Sequence, residues 1–153
     1  MANVLVLMGS GSDSEHAAKI TKILDEFGVT HETRVASAHK TPEKLLSVVK
    51  EAKDAKVIIA IAGLSNALSG MVAAQTTLPV ITCPPYNAED IWSSLRMPPG
   101  VAHETVLDPK NAALACIKIL ALGDAALKKK LEVYLAGMKD KIEEADAKAR
   151  TRK

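Results

Sequence analysis

The chain has 153 residues, of which 48% are apolar and 25% are charged, and its formal net charge is +2. This balance is typical of one soluble globular domain, and so small a charge favours neither a nucleic-acid partner nor a membrane surface. Two cysteines are too few for a disulfide framework or a cysteine metal cluster, and they fit a reducing cytoplasm. Because the sequence opens directly on a strand-like run and has no apolar run near the ~20 residues of a membrane span, we expect a cytosolic protein.

The first element is a short apolar run, Val4–Met8. It predicts a buried parallel strand, because its apolar residues are continuous rather than alternating. A turn with the sequence GSGSDS follows at 9–14. Helical spacing of apolar residues then extends to Phe27, with Gly28 as the expected C-cap.

The turn after this strand is the first candidate site. Its glycines permit tight backbone geometry, and the N-terminus of the following helix offers free N–H groups to an anion. The spacing resembles the dinucleotide fingerprint, but Ser14 replaces its third glycine and no acidic residue ends the second strand, which argues against a nicotinamide or flavin cofactor. We therefore predict that Ser10, Ser12 and Asp13 bind the phosphate or ribose of a mononucleotide. The alternative is that Ser12 or Asp13 only caps the helix.

The second candidate site follows a β-branched run at 30–36 and has the sequence SAHKTP. It lies just beyond the carboxyl end of a strand, where α/β proteins place their ligands. Ser37, His39 and Lys40 supply a hydroxyl, an imidazole and a cation, a set suited to proton transfer beside an anionic substrate. The threonine and proline are also a good N-cap and first residue for a helix at about 42–53, so an ordinary capped loop is the alternative.

The third candidate site follows another continuous apolar run, 57–62, and leads into a small-residue helix at about 65–75. Gly63 permits close backbone approach, and Ser65 and Asn66 can either bond a polar ligand or cap the helix. The loops after the first three strands of a parallel sheet open on the same edge. We therefore expect the polar residues of all three turns to meet in one crevice.

The following segments continue the alternation of strands and helices. Strands are expected at 79–83 and 104–107, a loop with a short helix at 86–97, and a helix from Pro109 to about residue 122. This pattern predicts an α/β fold, a three-layer αβα sandwich with a parallel sheet, either flavodoxin-like or Rossmann-like.

The final segment, 124–153, predicts a long amphipathic helix with a tail, because apolar residues recur at helical spacing on a charged background. We divide the chain into an α/β catalytic domain at 1–123 and this C-terminal helix. The helix needs an apolar surface to pack on, which is either its own sheet layer or a neighbouring subunit.

The remaining histidines are weaker candidates for a functional site. No pair among His16, His31 and His103 has the spacing of metal ligands, so we expect structural or solvated roles for them and no metal site. The sequence also contains neither a Gly-x-Ser-x-Gly nucleophile elbow nor a Walker motif.

The three turns, taken together, resemble the aminoimidazole ribonucleotide carboxylase/mutase family of purine biosynthesis. The resemblance is carried by MGSGSD at 8–13, SAHKT at 37–41 and AGLSNALSG at 62–70, in this order and spacing. It extends through CPP at 83–85, IWSSLRMP at 91–98 and NAA at 111–113. It therefore covers most of the chain, to about residue 123.

A few residues separate the two branches of this family. In bacterial mutases the second motif usually ends in arginine, where this chain has Lys40, and the third reads GGAAHLPG, with Ala67 and Ser69 here at the positions of its histidine and proline. These residues resemble the carboxylase branch, which uses carbon dioxide directly and includes the carboxylase domain of the animal bifunctional enzyme. Leu64 departs from that branch, which typically has arginine there, so substrate or carbon dioxide would be held differently if that arginine contacts them.

The resemblance implies reversible carboxylation of 5-aminoimidazole ribonucleotide (AIR) at C4 by carbon dioxide, giving the 4-carboxylate (CAIR). It implies no cofactor, a homo-octamer, and His39 as the base that removes the C4 proton. The other implied site residues hold the ribose phosphate (Ser10, Ser12, Asp13, Ser37 and Lys40) or line the pocket for the base and carbon dioxide (Gly63, Ser65, Asn66 and Leu68). The alternatives are an N5-carboxyaminoimidazole ribonucleotide mutase and, from another class, a non-catalytic nucleotide-binding sensor.

Overall fold

The computed structural model describes residues 2–85 and 89–151. Its strands are Val4–Met8 (β1), His31–Val35 (β2), Val57–Ile61 (β3), Val80–Thr82 (β4) and Glu104–Thr105 (β5). Its α-helices are Ser14–Phe27 (α1), Pro42–Glu51 (α2), Ala67–Ala74 (α3), Pro109–Leu120 (α4) and Ala125–Thr151 (α5). The strands form a parallel five-stranded sheet in the order β2-β1-β3-β4-β5, so the predicted α/β, flavodoxin-like fold is confirmed.

Helices cover both faces of the sheet, because successive residues of a strand point to opposite sides. In β1, Val4, Val6 and Met8 pack in one apolar layer with α1 and α4. Leu5 and Leu7 pack in a second layer with α2 and α3. Every residue of β1 and β3 is buried, as their continuous apolar runs predict.

The strand order makes the carboxyl end of β1 a topological switch point, since β1 lies between β2 and β3. Hydrogen bonds hold the exits of these strands together. The Gly9 N–H donates to the Ile61 carbonyl at 2.8 Å, and the Ala36 N–H donates to the Met8 carbonyl at 3.0 Å. The three candidate turns therefore leave the sheet side by side.

The outer strands are shorter than the sequence predicts. The expected strand at 104–107 has only the two residues Glu104 and Thr105, although the Val106 N–H still donates to the Thr82 carbonyl at 2.9 Å. The helix expected from residue 65 begins later, because Asn66 is its N-cap. Within the loop predicted at 86–97, residues 86–88 lie outside the described residues, and Ile91–Ser94 forms a 3₁₀ turn.

The C-terminal helix packs on its own subunit near its start. Leu127 and Leu131 are buried, and the centroids of the Tyr134 and Phe27 rings lie 5.5 Å apart. The Lys130 ammonium donates to the Phe27 carbonyl at 2.8 Å and so satisfies an otherwise free carbonyl at the end of α1. Exposed apolar side chains follow, namely Val133, Leu135, Met138 and Ile142. The domain boundary at residue 123 stays a prediction.

No helix within residues 2–85 and 89–151 has the length and apolar character needed to cross a membrane.

Candidate active site

A cleft of about 250 Å³ opens at the carboxyl ends of β1, β2 and β3, where the three candidate turns meet. It brings a carboxylate, hydroxyls, an imidazole and an ammonium group to one concave surface, which makes it the leading candidate for a small-molecule site. The predicted site residues that line it are Ser10, Ser12, Asp13, Ser37, His39, Lys40, Gly63, Ser65 and Leu68. Asn66 is predicted for the site but is not among the lining residues.

The first wall of the cleft is a 3₁₀ turn, Gly11–Asp13, closed by a reciprocal cap. The Ser12 N–H donates to Ser10 Oγ at 3.3 Å, the Ser12 hydroxyl donates to the same oxygen at 2.9 Å, and the Ser10 N–H donates to the Asp13 carboxylate at 3.2 Å. Asp13 stands at the N-cap of α1 but makes no side-chain bond to that helix. The cap therefore fixes the turn rather than the helix, and the same residues face the cleft.

Asp13 is partly removed from water. Burial raises the pKa of its carboxyl above the usual range, while the Ser10 N–H and the charge of a protonated His16 act in the opposite direction. A carboxylate with incomplete hydration gains more from a hydroxyl donor than one fully exposed to water. Asp13 is therefore well suited to accept a hydrogen bond from a ribose hydroxyl.

Behind the first wall, the imidazole of His16 lies against a buried cysteine. Its Nε2 is 3.3 Å from Cys83 Sγ. Burial and the charge of Lys19 lower the pKa of His16, and burial raises the pKa of the Cys83 thiol to about 12. The neutral forms of both groups are therefore favoured. We interpret the contact between His16 and Cys83 as structural support for the first wall of the cleft.

The second wall is the turn from Ser37 to Thr41. The Lys40 N–H donates to Ser37 Oγ at 3.2 Å, and the Ser37 N–H donates to Thr41 Oγ1 at 3.0 Å. The Thr41 hydroxyl donates back to the Ser37 carbonyl at 3.3 Å. Thr41 occupies the predicted N-cap position with Pro42 starting α2, but its hydroxyl makes no capping bond because it closes the turn instead.

His39 and Lys40 are carried at the tip of this turn. Both side chains are exposed at the cleft, while the backbone beneath them is fixed by the hydrogen bonds of Ser37 and Thr41. A fixed backbone under a solvent-accessible imidazole suits proton transfer, because the backbone places the side chain at the cleft without burying a charge.

The third wall, residues 62–68, joins β3 to α3. Ser65 has a φ of +37°, in the left-handed region that costs a residue with a side chain roughly 1–2 kcal/mol. Leu64 lines the cleft with 77% of its surface exposed. Gly63 faces Pro85, whose ring would lie 3.7 Å from a Cβ added at Gly63. The backbone strain at Ser65 persists only where surrounding contacts hold the backbone in place.

Asn66 follows Ser65 but turns away from the cleft. Its side chain is buried, with the amide nitrogen 2.8 Å from Thr82 Oγ1 and 2.9 Å from Ser94 Oγ. The structure thus places Asn66 inside the protein's own hydrogen-bond network, and its contact with a ligand stays a prediction.

The sequence matches the AIR carboxylase family over residues 3–141. This chain belongs to that family. It is similar to the phosphoribosylaminoimidazole carboxylase of Archaeoglobus fulgidus, at 46% identity over 151 residues that cover 95% of this chain and 84% of that relative. It is also 46% identical over 153 residues to the N5-carboxyaminoimidazole ribonucleotide mutase of Methanocaldococcus jannaschii, covering 96% of this chain and 97% of the relative. The crystal structure of Treponema denticola PurE matches the fold with a TM-score of 0.92 at 41% identity, covering 98% of both chains.

Membership of the AIR carboxylase family confirms the resemblance predicted from the three turns. Several residues that line the cleft were not among the predicted site residues, although Leu64 and Ala67 were compared between the two branches of the family. They are small or apolar residues lying between or beside the predicted ones, namely Gly9, Ala38, Ala62, Leu64 and Ala67. Their side chains carry no reactive group, so only their place within the turns could have indicated them.

Elsewhere in this AIR carboxylase family member, the other histidines lie outside the cleft lining. His31 Nε2 is 3.0 Å from an Asp25 carboxylate oxygen, and burial lowers the pKa of His103. Within the described residues, no group of three or more histidine, cysteine, aspartate or glutamate side chains is placed to hold a metal ion.

Proposed function

We propose that this protein is a phosphoribosylaminoimidazole carboxylase. It would add carbon dioxide to C4 of AIR to form CAIR in the de novo synthesis of IMP, reversibly and without a cofactor. One observation supports this most strongly: in a chain of the AIR carboxylase family, His39 and Lys40 face the polar turn Ser10–Asp13 across one cleft.

The first two walls suit the ribose phosphate of AIR. Ser10 Oγ already accepts two bonds from Ser12, so its own hydroxyl proton is available to donate to a phosphate oxygen. Lys40 supplies a point charge for the phosphate, Ser37 a further hydroxyl, and Asp13 an acceptor for a ribose hydroxyl.

The chemistry then falls to His39. The C5 amino group of AIR makes C4 an enamine carbon, which attacks the carbon of carbon dioxide and forms the new carbon–carbon bond. One C–O π bond becomes a carboxylate lone pair, and C4 temporarily carries both a proton and the carboxylate. A neutral imidazole takes that proton, the C–H electrons restore the aromatic ring, and the imidazolium returns the proton in the reverse reaction.

The third wall would line the space for the base and carbon dioxide. The groups proposed for this role are the Ser65 hydroxyl and the backbone near Gly63 and Leu68, three residues that line the cleft. In this proposal Asn66 supports the third wall from within the protein, where its amide atoms are bonded.

A mutase acting on N5-carboxyaminoimidazole ribonucleotide is the second candidate, because the M. jannaschii relative bears that name. Lys40, Ala67 and Ser69 favour the carboxylase, since the bacterial mutases of the family have arginine, histidine and proline at these positions. Each substrate should be supplied separately to the purified protein, with product formation followed by absorbance. We expect CAIR from AIR at a rate that rises with dissolved carbon dioxide. Turnover of only the N5-carboxy compound, in buffer purged of carbon dioxide, would assign the protein to the mutases instead.

The proposal also includes a homo-octamer in the cytoplasm. The apolar side chains that α5 leaves exposed in the subunit are available to pack on neighbouring copies.

A further inference from the structure

A buried cluster of polar side chains lies behind the third wall of the cleft. It consists of Asn66, Ser69, Thr82 and Ser94, and none of them exposes more than 3% of its surface. These residues come from the N-cap of α3, from α3 itself, from β4 and from the 3₁₀ turn Ile91–Ser94. Buried polar groups persist when they are bonded to one another, and this cluster, which we call the Asn66 network, meets that condition.

The bonds of the Asn66 amide have a fixed direction. Asn66 Nδ2 donates to Thr82 Oγ1 at 2.8 Å and to Ser94 Oγ at 2.9 Å, and Asn66 Oδ1 accepts the Ser69 N–H at 3.1 Å. The Ser69 hydroxyl lies within hydrogen-bond distance of both Asn66 Oδ1, at 3.1 Å, and Thr82 Oγ1, and its one proton serves one of these two acceptors at a time. The bonds from Asn66 to Thr82, Ser69 and back form a closed ring.

The ring uses most of the hydrogen-bonding capacity of the Asn66 side chain. Both amide protons and one lone pair of the carbonyl oxygen are bonded within the protein, and the second lone pair faces the Ser69 hydroxyl. Rotating the amide by a half turn would place donors against the Ser69 N–H, so the ring also fixes its orientation.

The network also reaches the backbone that forms the cleft. The Asn66 N–H donates to Ser93 Oγ at 2.8 Å, and the Ser93 hydroxyl donates to the Asp90 carbonyl at 2.7 Å. The Ala67 N–H donates to the Ser65 carbonyl at 2.7 Å. Ser65, with its left-handed φ, is therefore followed directly by a residue held through both its backbone and its side chain.

We propose that Asn66 is a positioning residue for the reaction, and that its network holds Ser65 and the third wall in the geometry that receives the base and carbon dioxide. The identity of the ligand that the third wall receives rests on the proposed function. The turn Ile91–Ser94 is part of the same unit, because Ser93 and Ser94 supply partners to Asn66.

Two substitutions at Thr82 test the proposal without touching the cleft. Thr82→Val keeps the side-chain shape and removes the hydroxyl that closes the ring, whereas Thr82→Ser keeps the hydroxyl and loses a methyl group. We expect Thr82→Val to lower kcat at least tenfold while the KM for AIR changes less than threefold, because the phosphate-binding walls stay intact. Thr82→Ser should stay within threefold of the parent in both constants.

A core variant controls for lost stability. Ile117→Val removes one methyl group from the apolar layer on the opposite face of the sheet and should leave kcat unchanged at the assay temperature. A kcat for Thr82→Val within threefold of the parent would overturn the proposal. So would an equal loss of kcat in Thr82→Ser or in Ile117→Val.

The single tryptophan gives a readout that does not depend on catalysis. Trp92 lies in the turn Ile91–Ser94 and exposes 68% of its surface. We expect Thr82→Val to lower its fluorescence anisotropy and Thr82→Ser to leave it unchanged. If the parent protein does not turn over AIR, the proposed function fails, whereas an unchanged Trp92 anisotropy in Thr82→Val contradicts the network.

Discussion

Asp13 links the cleft to the stability of the subunit. Because burial raises the pKa of its carboxyl, the folded protein holds this proton more tightly than the unfolded chain does. The free energy of unfolding therefore decreases as pH rises from the ordinary carboxyl pKa to the raised one, and the ionised group stays unfavourable at neutral pH. That cost is consistent with a carboxylate kept for ligand binding.

Replacing Asp13 by asparagine separates these two effects. The amide oxygen can still accept the Ser10 N–H, so the turn is retained. We expect Asp13→Asn to have a higher free energy of unfolding than the parent at pH 7. This difference in free energy should narrow as the pH falls toward about 3.9. Its Kd for AIR should rise roughly 10- to 100-fold, as expected for the loss of a hydrogen bond to a charged group. Urea unfolding across pH and calorimetric titration measure both quantities, and a less stable variant at pH 7 would contradict the assignment.

For individual residues, the sequence predicted which of them lie at the cleft better than it predicted the hydrogen-bond partners of their side chains. Ser37, His39 and Lys40 lie at the cleft as expected from their place after a strand. Thr41 has the expected N-cap position, yet its hydroxyl closes the turn. Asn66 could not be placed from sequence, because its partner Thr82 comes from a different strand and meets it only once the sheet has formed.

Among the helices, α5 is the one whose anchoring can be tested most simply. Leu131 is buried against the subunit, whereas Ile142 of the same helix exposes 70% of its surface. Leu131→Ala should lower the free energy of unfolding by about 2–5 kcal/mol at any protein concentration. Ile142→Ala should leave the dissociated subunit within about 0.5 kcal/mol of the parent. Equal losses in the two variants in dilute urea titrations would contradict this anchoring.

Helices and strands could be predicted from the sequence where they bury either one face or their whole surface, because each case leaves a distinct pattern of apolar residues. β1 and β3 were predicted closely, because full burial on both faces requires continuous apolar runs. The edge strand β5 is shorter than predicted, since an edge position has one neighbouring strand to define its length. The start of α3 was displaced because Ser65 adopts a left-handed φ, a tertiary effect that local propensity does not contain.

For the molecule as a whole, the exposed apolar residues of α5 are the feature that predicts assembly. We expect Ile142→Asp to shift the proposed octamer toward smaller species in light scattering, because a charge would be buried at a subunit contact. Lys141→Asp is the control, since it adds an aspartate at the neighbouring exposed position without removing an apolar contact. A parent protein that is monomeric, or equal dissociation in both variants, would contradict the assembly.

In the proposed function, the cleft carries out the reaction with His39 as the group that moves the C4 proton. Asparagine at this position retains hydrogen-bonding atoms but cannot take up the proton. The most direct test is the rate of CAIR formation from AIR and carbon dioxide by His39→Asn, with AIR affinity and thermal midpoint measured in parallel. We predict a kcat about 10²- to 10⁴-fold below that of the parent, with AIR affinity and thermal midpoint nearly unchanged. A kcat within tenfold of the parent would contradict the assignment of His39 as the group that moves the proton.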